Sequence, residues 1–252
     1  MSANLIKFYK YSPGGNITAL ILGSKSPKEN SRVARKVMKS EKEVEQVAFL
    51  NPKLGNKIFL RMMGNEFCLN AARVAGAYYF DKTKKTVVKI QVSGFAKALE
   101  INKKPGNIIS ARVPMQILKR NNQLEKGWLV ELEGIKYFIG FNLKNFEKDM
   151  RGIIKAYKRN SPAMGVINVF KNENLYFIKP VVWVKLTNSL THETACASGS
   201  VAVALVLKQI EKKKSYFSLI QPSGVSYKIN LSKKYVTVSS RVKNMGIKQI
   251  TA

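Results

Sequence analysis

The chain holds two cysteines, and each closes a polar loop just ahead of a run of small apolar residues. Gly64-Asn65-Glu66-Phe67-Cys68-Leu69-Asn70 leads into residues 71–79, and His192-Glu193-Thr194-Ala195-Cys196-Ala197-Ser198-Gly199 leads into residues 200–210. Both runs read as helices. A cysteine at a helix N-terminus faces unpaired N–H groups and the positive end of the helix dipole. Its pKa is expected to fall below the usual value of about 8.5, which favours thiolate. The same N–H groups suit a carboxylate. Two such helix ends meeting in one cleft would clamp a carboxylate and set a sulfur on each side of the adjacent carbon. One sulfur, as thiolate, would remove a proton from one face, and the other, as thiol, would return a proton to the opposite face. The stereocentre would invert, with the charge that builds on the carboxylate met by preorganised N–H groups. The candidate bases are Cys68 and Cys196. The candidate N–H donors belong to Leu69, Asn70, Ala197, Ser198 and Gly199.

Other readings of these residues stand beside this one. A lone free cysteine is ordinarily a small buried hydrophobe, but two at equivalent helix starts argue for chemistry. A redox pair would show a C-x-x-C spacing, which is absent here. Two cysteines and one histidine cannot supply a four-ligand zinc site. The sequence carries neither a G-x-G-x-x-G fingerprint nor a phosphate-binding loop, so the expectation is an enzyme without cofactor or metal. His192 reads as a loop residue ahead of a ligand contact, and Arg73 as a salt-bridging helix residue.

Positioning two helix ends against each other is a task for the whole fold. Strands are expected at 5–11, 17–22, 46–50, 57–62, 86–92, 97–101 and 108–113, with a turn at Ser12-Pro13-Gly14-Gly15-Asn16 and a helix at 30–40. The second half repeats the theme, with strands at 128–133, 135–141, 166–170 and 175–184 and a helix at 145–157. It ends in strands around a Gln221-Pro222-Ser223-Gly224 turn. Each half thus runs from strands to a cysteine loop to an apolar helix. The expected fold is α+β, in two pseudo-symmetric lobes. Residues 1–113 form the lobe carrying Cys68 and residues 114–252 the lobe carrying Cys196, with a ligand site in the cleft between them.

The 252 residues carry 44 Lys and Arg against 15 Asp and Glu, a formal net charge of +29. The cations are mostly lysine and are scattered, as at Lys82, Lys84, Lys89, Lys103, Lys212 and Lys233. Arginine, the usual reader of bases, is the minor part. A solvated surface is favoured over nucleic-acid binding. No apolar run approaches a membrane span and the first residues lack an apolar leader core, so a cytoplasmic protein acting on a small molecule is expected. A homodimer is compatible with all of this.

MGNEFCLNAAR and ETACASG resemble the two catalytic loops of the diaminopimelate epimerase superfamily. That family carries a first Cys-Gly-Asn-Gly-x-Arg element and a second Cys-Gly-Ser/Thr-Gly element. Cys68, Asn70 and Arg73 match the first, and Cys196, Ser198 and Gly199 the second. FYKYSPGGN looks like the family's opening strand with its substrate-contacting Asn, here Asn16. Gln46 in EQVAF looks like the family's Gln, and QPSG resembles its late Pro-Gly-Gly turn. The resemblance implies a curved sheet wrapped around a central helix in each lobe and amino-acid racemisation or epimerisation without pyridoxal phosphate. It also implies substrate contacts from Asn16 and Gln46, although Asn16 read alone is a turn residue and Gln46 a strand residue. Isomerases of the phenazine-biosynthesis branch lack the cysteine pair. Leu69 and Ala197 stand where the family has Gly, and Thr187-Asn188-Ser189 stands where the epimerases proper have Glu-Arg-Gly for a distal carboxylate. The motifs are more similar to the cofactor-independent histidine racemases of the staphylopine pathway, in the Gly-Asn-Glu-Phe-Cys loop and the Glu three residues before the second cysteine. That residue, Glu193, is expected to meet the substrate ammonium or to support the helix start. Diaminopimelate epimerisation and a noncatalytic, basic, anion-binding member of the fold remain the alternatives.

Overall fold

Almost every side chain of the helix after Cys68 is buried, from Leu69 through Ala77 and again at Phe80. A helix buried all round needs a wall all round, and small residues let that wall approach. Ala71, Ala72, Ala75, Gly76 and Ala77 serve this end, and a Cβ at Gly76 would lie 2.4 Å from Ile101 Cγ2.

The computed structural model describes residues 5–54 and 57–251. Residues 1–4 and 252, the ends of the two expected lobes, and residues 55 and 56 lie outside them. The first half contains β1 (Leu5–Pro13), β2 (Thr18–Leu22), α1 (Pro27–Ser40), β3 (Gln46–Leu54), β4 (Lys57–Met62), α2 (Leu69–Lys82), β5 (Val87–Val92), β6 (Leu99–Lys104) and β7 (Ile108–Pro114). The second contains β8 (Leu118–Leu124), β9 (Gly127–Leu132), β10 (Ile135–Phe141), α3 (Phe146–Tyr157), β11 (Ala163–Asn172), β12 (Leu175–Val184), β13 (Ser189–His192), α4 (Ala197–Ile210), β14 (Tyr216–Ile220), β15 (Ser226–Leu231) and β16 (Tyr235–Thr251).

The architecture is mixed α+β with strands predominating. Strands β1 to β7 lie side by side in chain order, and β16 follows β7. Because β16 also pairs with β1, from Leu5↔Thr251 to Pro13↔Val242, these eight strands close into a barrel. Helix α2 touches all eight and fills the interior. The sheet continues from β16 through β15, β14, β12, β11, β10 and β9 to β8. Helix α4, buried from Ala197 through Leu207, packs on β9, β10, β11, β15 and β16.

Both halves follow one connection pattern. A parallel pair is bridged by an outer helix, β2-α1-β3 and β10-α3-β11, and a second parallel pair by a central helix, β4-α2-β5 and β12-α4-β14. The outer helices are amphipathic. Phe146, Met150 and Ile154 of α3 recur every four residues and face the sheet. Helix α1 opens with a capping box, Ser26 and Glu29, and Pro27 in its first turn.

The expected lobe boundary falls at the end of β7, while β16 returns to pair with both β7 and β1. Strands β8 and β13 and the length of β16 escape a local reading. Leu118–Leu124 is mostly polar and β13 is four residues long. The tail of β16 is largely exposed and is held by its ladder to β1, a contact between the two ends of the chain.

Candidate active site

Cys68 and Cys196 occupy the same place in their helices. Each is the N-cap, with extended backbone at φ −143°, ψ 116° and φ −132°, ψ 102°. An N-cap side chain ordinarily offers oxygen to a free N–H of the first turn. Here sulfur does so: Cys68 Sγ accepts from the Ala71 N–H at 3.4 Å and Cys196 Sγ from the Gly199 N–H at 3.3 Å. A Cβ at Gly199 would stand 2.9 Å from Cys196 Sγ and 2.5 Å from Ile167 Cδ1, so no larger residue fits without displacement.

The two cysteines line one cavity of about 30 Å³. Its wall takes Glu45, Gln46, Met63, Glu66, Phe67 and Asn70 from the first half of the chain. The second half contributes Ile135, Tyr137, Val182, Val184, Glu193, Ala197 and Ser198. The first turns of α2 and α4 are joined directly. The Leu69 N–H donates to Ser198 Oγ at 3.0 Å, and Asn70 Nδ2 donates to the Ala195 carbonyl at 2.8 Å. Behind them Asn70 Oδ1 lies 3.0 Å from the Tyr227 hydroxyl and 3.4 Å from Arg73 Nη1. Arg73 is fully buried. Its guanidinium is met by the carbonyls of Ile109 and Ser240, each at 3.0 Å, by the Ser240 hydroxyl and by the Tyr227 ring. It therefore braces the site through neutral oxygens, not through the salt bridge expected of a helix arginine.

The expected lowering of the thiol pKa values is reversed. Burial pushes the Cys68 thiol up, and the nearby carboxyls of Glu193 and Glu66 add to this, against the opposing pull of the helix N–H groups. Burial also raises Cys196, with Glu193 beside it. The physical reason is that removing a thiolate from water outweighs a few partial charges at a helix end. The carboxyls respond in the same direction. Burial raises Glu66 to about 7 and Glu193 to about 8, and raises Glu45 above the usual carboxylate range.

Of the residues singled out in the sequence, Gln46, Cys68, Asn70, Glu193, Cys196, Ala197 and Ser198 line the cavity. Asn16 does not. It is fully buried behind Gln46, with its amide engaged by Glu45 and Gln46. Leu69 and Gly199 stand behind the wall, and their N–H groups are taken by Ser198 Oγ and Cys196 Sγ. Among the described residues the Ala197 and Ser198 N–H groups show no hydrogen-bond partner. Glu193 Oε2 is buried without a hydrogen-bond partner. His192 is exposed, 3.8 Å from Glu147, and lies outside the cavity wall.

The model of the family described as histidine racemase CntK, N-terminal domain, matches residues 5–249. The chain belongs to this family. It is 32% identical to a histidine racemase of Fusobacterium nucleatum over 252 residues, which covers 92% of each chain. In fold it is similar to a phenazine biosynthesis protein of the PhzF family from Bacillus anthracis (TM-score 0.67, 13% identity, covering 99% of this chain and 100% of that one). It is also similar to a probable proline racemase from Agrobacterium radiobacter with bound carbonate (TM-score 0.65, 11% identity, covering 98% and 93%). The protein is an amino-acid racemase, an isomerase. Among the described residues no helix is long and apolar enough to cross a membrane.

Four residues around the two cysteines were not singled out in the sequence. Glu45 accepts from Asn16 Nδ2 and from the Thr194 N–H, each at 2.9 Å, and so ties the Asn16 turn to the loop that leads to Cys196. Glu66 accepts from the Gly64 N–H at 2.8 Å. The Tyr137 hydroxyl lies 3.6 Å from Cys196 Sγ. Gln221 Oε1 accepts from the Cys196 N–H at 2.9 Å. Glu45, Glu66 and Gln221 lie within motifs that were legible, but nothing local marks Tyr137, a hydrophobic position of an ordinary strand.

Proposed function

We propose that this protein racemises histidine by inverting Cα between Cys68 and Cys196, with each step carried by the chain's own groups. The observation that carries this reading is the shared cavity: two N-cap cysteines, one from each half of the chain, line the same small space. One sulfur, as thiolate, takes the α-proton. The C–H electron pair moves into the substrate carboxylate, and the opposing thiol gives its proton to the other face. The Ala197 and Ser198 N–H groups, at the positive end of α4, receive the carboxylate and its added charge. The buried Glu193 Oε2 receives the α-ammonium.

Glu45, Glu66 and Glu193 stand in the wall, and neither Lys nor Arg is among its residues. Such a wall offers carboxyl partners to a basic imidazole side chain and no cation to a distal carboxylate. Thr187 and Ser189, where the epimerases proper hold Glu and Gly, bond to each other at 2.8 Å. A diaminopimelate carboxylate left without a cationic partner in a desolvated site costs several kcal/mol. The histidine racemase relatives support the same substrate.

A cavity of about 30 Å³ has room for water and cannot admit an amino acid. We read the arrangement as a closed cleft between two pseudo-symmetric lobes, residues 1–113 and 114–252, which separate to take substrate. Water entering the open cleft would ease the burial that holds both thiols protonated. The reaction is placed in the cytoplasm.

Incubation with single L-amino acids in D₂O, read by mass spectrometry, tests the proposal. Deuterium should enter the α-position of histidine faster than that of any other amino acid, accompanied by D-histidine. Faster exchange into diaminopimelate, or exchange without inversion, would overturn it.

A further inference from the structure

Three carboxyls line the cavity, and their hydrogen bonds separate what each can do. Glu45 is engaged on both oxygens. It takes Asn16 Nδ2 and the Thr194 N–H, each at 2.9 Å, and the Thr194 hydroxyl. The Glu193 carboxyl is a hydrogen-bond partner of the Cys196 sulfur, so it stands beside the carbon that the two sulfurs would flank. Glu66 differs from both. It is 4% exposed, and its carboxyl takes only backbone N–H groups of its own loop, that of Gly64 at 2.8 Å and its own. Among the described residues no side chain bonds to this carboxyl and no cation pairs with it.

The loop around Glu66 is held on every side. Asn65 turns the chain at φ 63°, with its N–H on the Met62 carbonyl at 3.0 Å. Ser93 Oγ donates to the Glu66 carbonyl at 2.9 Å, and the Phe67 N–H donates to the Gly134 carbonyl at 3.3 Å. A Cβ at Gly64 would lie 2.7 Å from Glu66 Oε2 and 2.1 Å from Val184 Cγ1, so the glycine leaves the room that the carboxyl occupies. Met63, Ile135, Val182 and Val184 line the same cavity with apolar surface. A buried carboxyl without a side-chain partner is thus fixed in a wall that is otherwise largely apolar on this side of the chemistry.

We propose that Glu66 is the residue that selects histidine: its carboxyl receives a ring nitrogen of the substrate imidazole, while Glu193 receives the α-ammonium. The inference rests on the histidine reading above and names the residue that decides it. The division of labour follows from position. The ammonium is attached to Cα, which lies between the sulfurs, so its partner must stand at a sulfur, as Glu193 does. The ring lies one carbon further out, and Glu66 bonds to neither sulfur. Glu66, raised to about 7 by burial, and an imidazole, ordinarily about 6.5, can share one proton in either direction. As an acid Glu66 donates to neutral imidazole, and as a carboxylate it accepts from imidazolium. Cys68 and Glu193 are the titratable groups on which Glu66 bears. An aliphatic substrate leaves the buried carboxyl without a partner, and that cost discriminates against it.

The test is competition between L-histidine and L-leucine in one D₂O mixture, with α-deuterium in each read by mass spectrometry. Wild type should favour histidine. Glu66→Met removes the carboxyl at similar side-chain length and should lower the histidine-to-leucine ratio roughly ten- to a hundredfold, the equivalent of one hydrogen bond to a charged group. Glu66→Gln keeps hydrogen-bonding atoms without the charge and should retain more of the preference than Glu66→Met. A ratio left in place by both variants, or histidine and leucine falling together as they would for a merely structural residue, overturns the assignment. If Glu66→Met does not fold, the nearly isosteric Glu66→Gln decides alone: a lowered ratio supports the role and an unchanged ratio overturns it. Wild type without a preference for histidine overturns the histidine reading itself, whereas a wild-type preference that survives both variants overturns only the role of Glu66.

Discussion

Asn70, in the first turn of one central helix, donates its side-chain amide to the carbonyl of Ala195, the residue before the second cysteine, at 2.8 Å. The two residues are 125 apart in sequence, and this bond registers one cysteine loop on the other. Asn70→Ala removes the donor and leaves the buried Ala195 carbonyl unpaired. A loss of about 1–3 kcal/mol in unfolding free energy is expected. Loop misplacement should lower kcat roughly ten- to a hundredfold. Urea melts and steady-state racemisation measure the two effects, and an unchanged kcat would show that the bond does not set the register.

Replacing either base should stop inversion. Cys68→Ala and Cys196→Ala each remove the proton carrier on one face, and a positioned acid or base contributes about 10²–10⁴-fold. Each serine variant should retain slow α-proton exchange without the full rate of inversion. Chiral chromatography of the products checks this, and wild-type racemisation by either alanine variant would rule out the two-base scheme.

The buried carboxyls make stability fall as pH rises. Glu66 and Glu193 hold protons in the folded protein up to about 7 and about 8, whereas the unfolded chain releases them near the ordinary carboxylate pKa of about 4.3. Between these limits the folded state binds more protons than the unfolded one, so unfolding free energy declines with pH. Their stabilising contribution is complete below the unfolded pKa and is lost as pH climbs through 7 and 8. Denaturant midpoints measured from pH 5 to pH 9 should drop across this window. The double variant Glu66→Gln with Glu193→Gln should flatten the slope, and a slope that persists unchanged would place its origin elsewhere.

Gly199→Ala tests the packing around Cys196. The added methyl would meet Ile167 Cδ1 at 2.5 Å, Cys196 Sγ at 2.9 Å and the Tyr137 ring at 3.3 Å. Overpacking of this kind costs about 1–3 kcal/mol. Because the sulfur must move, activity should fall further than stability does. A variant as active as wild type, with an unshifted thermal midpoint, would contradict the geometry.

The sequence alone marked the two cysteines at their helix starts and much of the scaffold. Two cysteines ahead of small-residue helices are a local pattern, and N-capping is local physics, so Cys68 and Cys196 could be read directly. The 57–62, 135–141 and 175–184 strands coincide with β4, β10 and β12 because their apolar runs are short and bounded. The repeat of strands, cysteine loop and helix was legible for the same reason. Local pattern could not give the closure of the first barrel, because the exposed tail of β16 becomes a strand only by meeting β1 from the other end of the chain. Nor could it place Tyr137 beside Cys196, or reveal that Asn16 is buried behind Gln46 and bonded to Glu45. The ionisation of the thiols was misjudged for a related reason. The helix N-terminus that lowers a pKa is written in the sequence, whereas the burial that outweighs it arises only when the two halves close over both sulfurs.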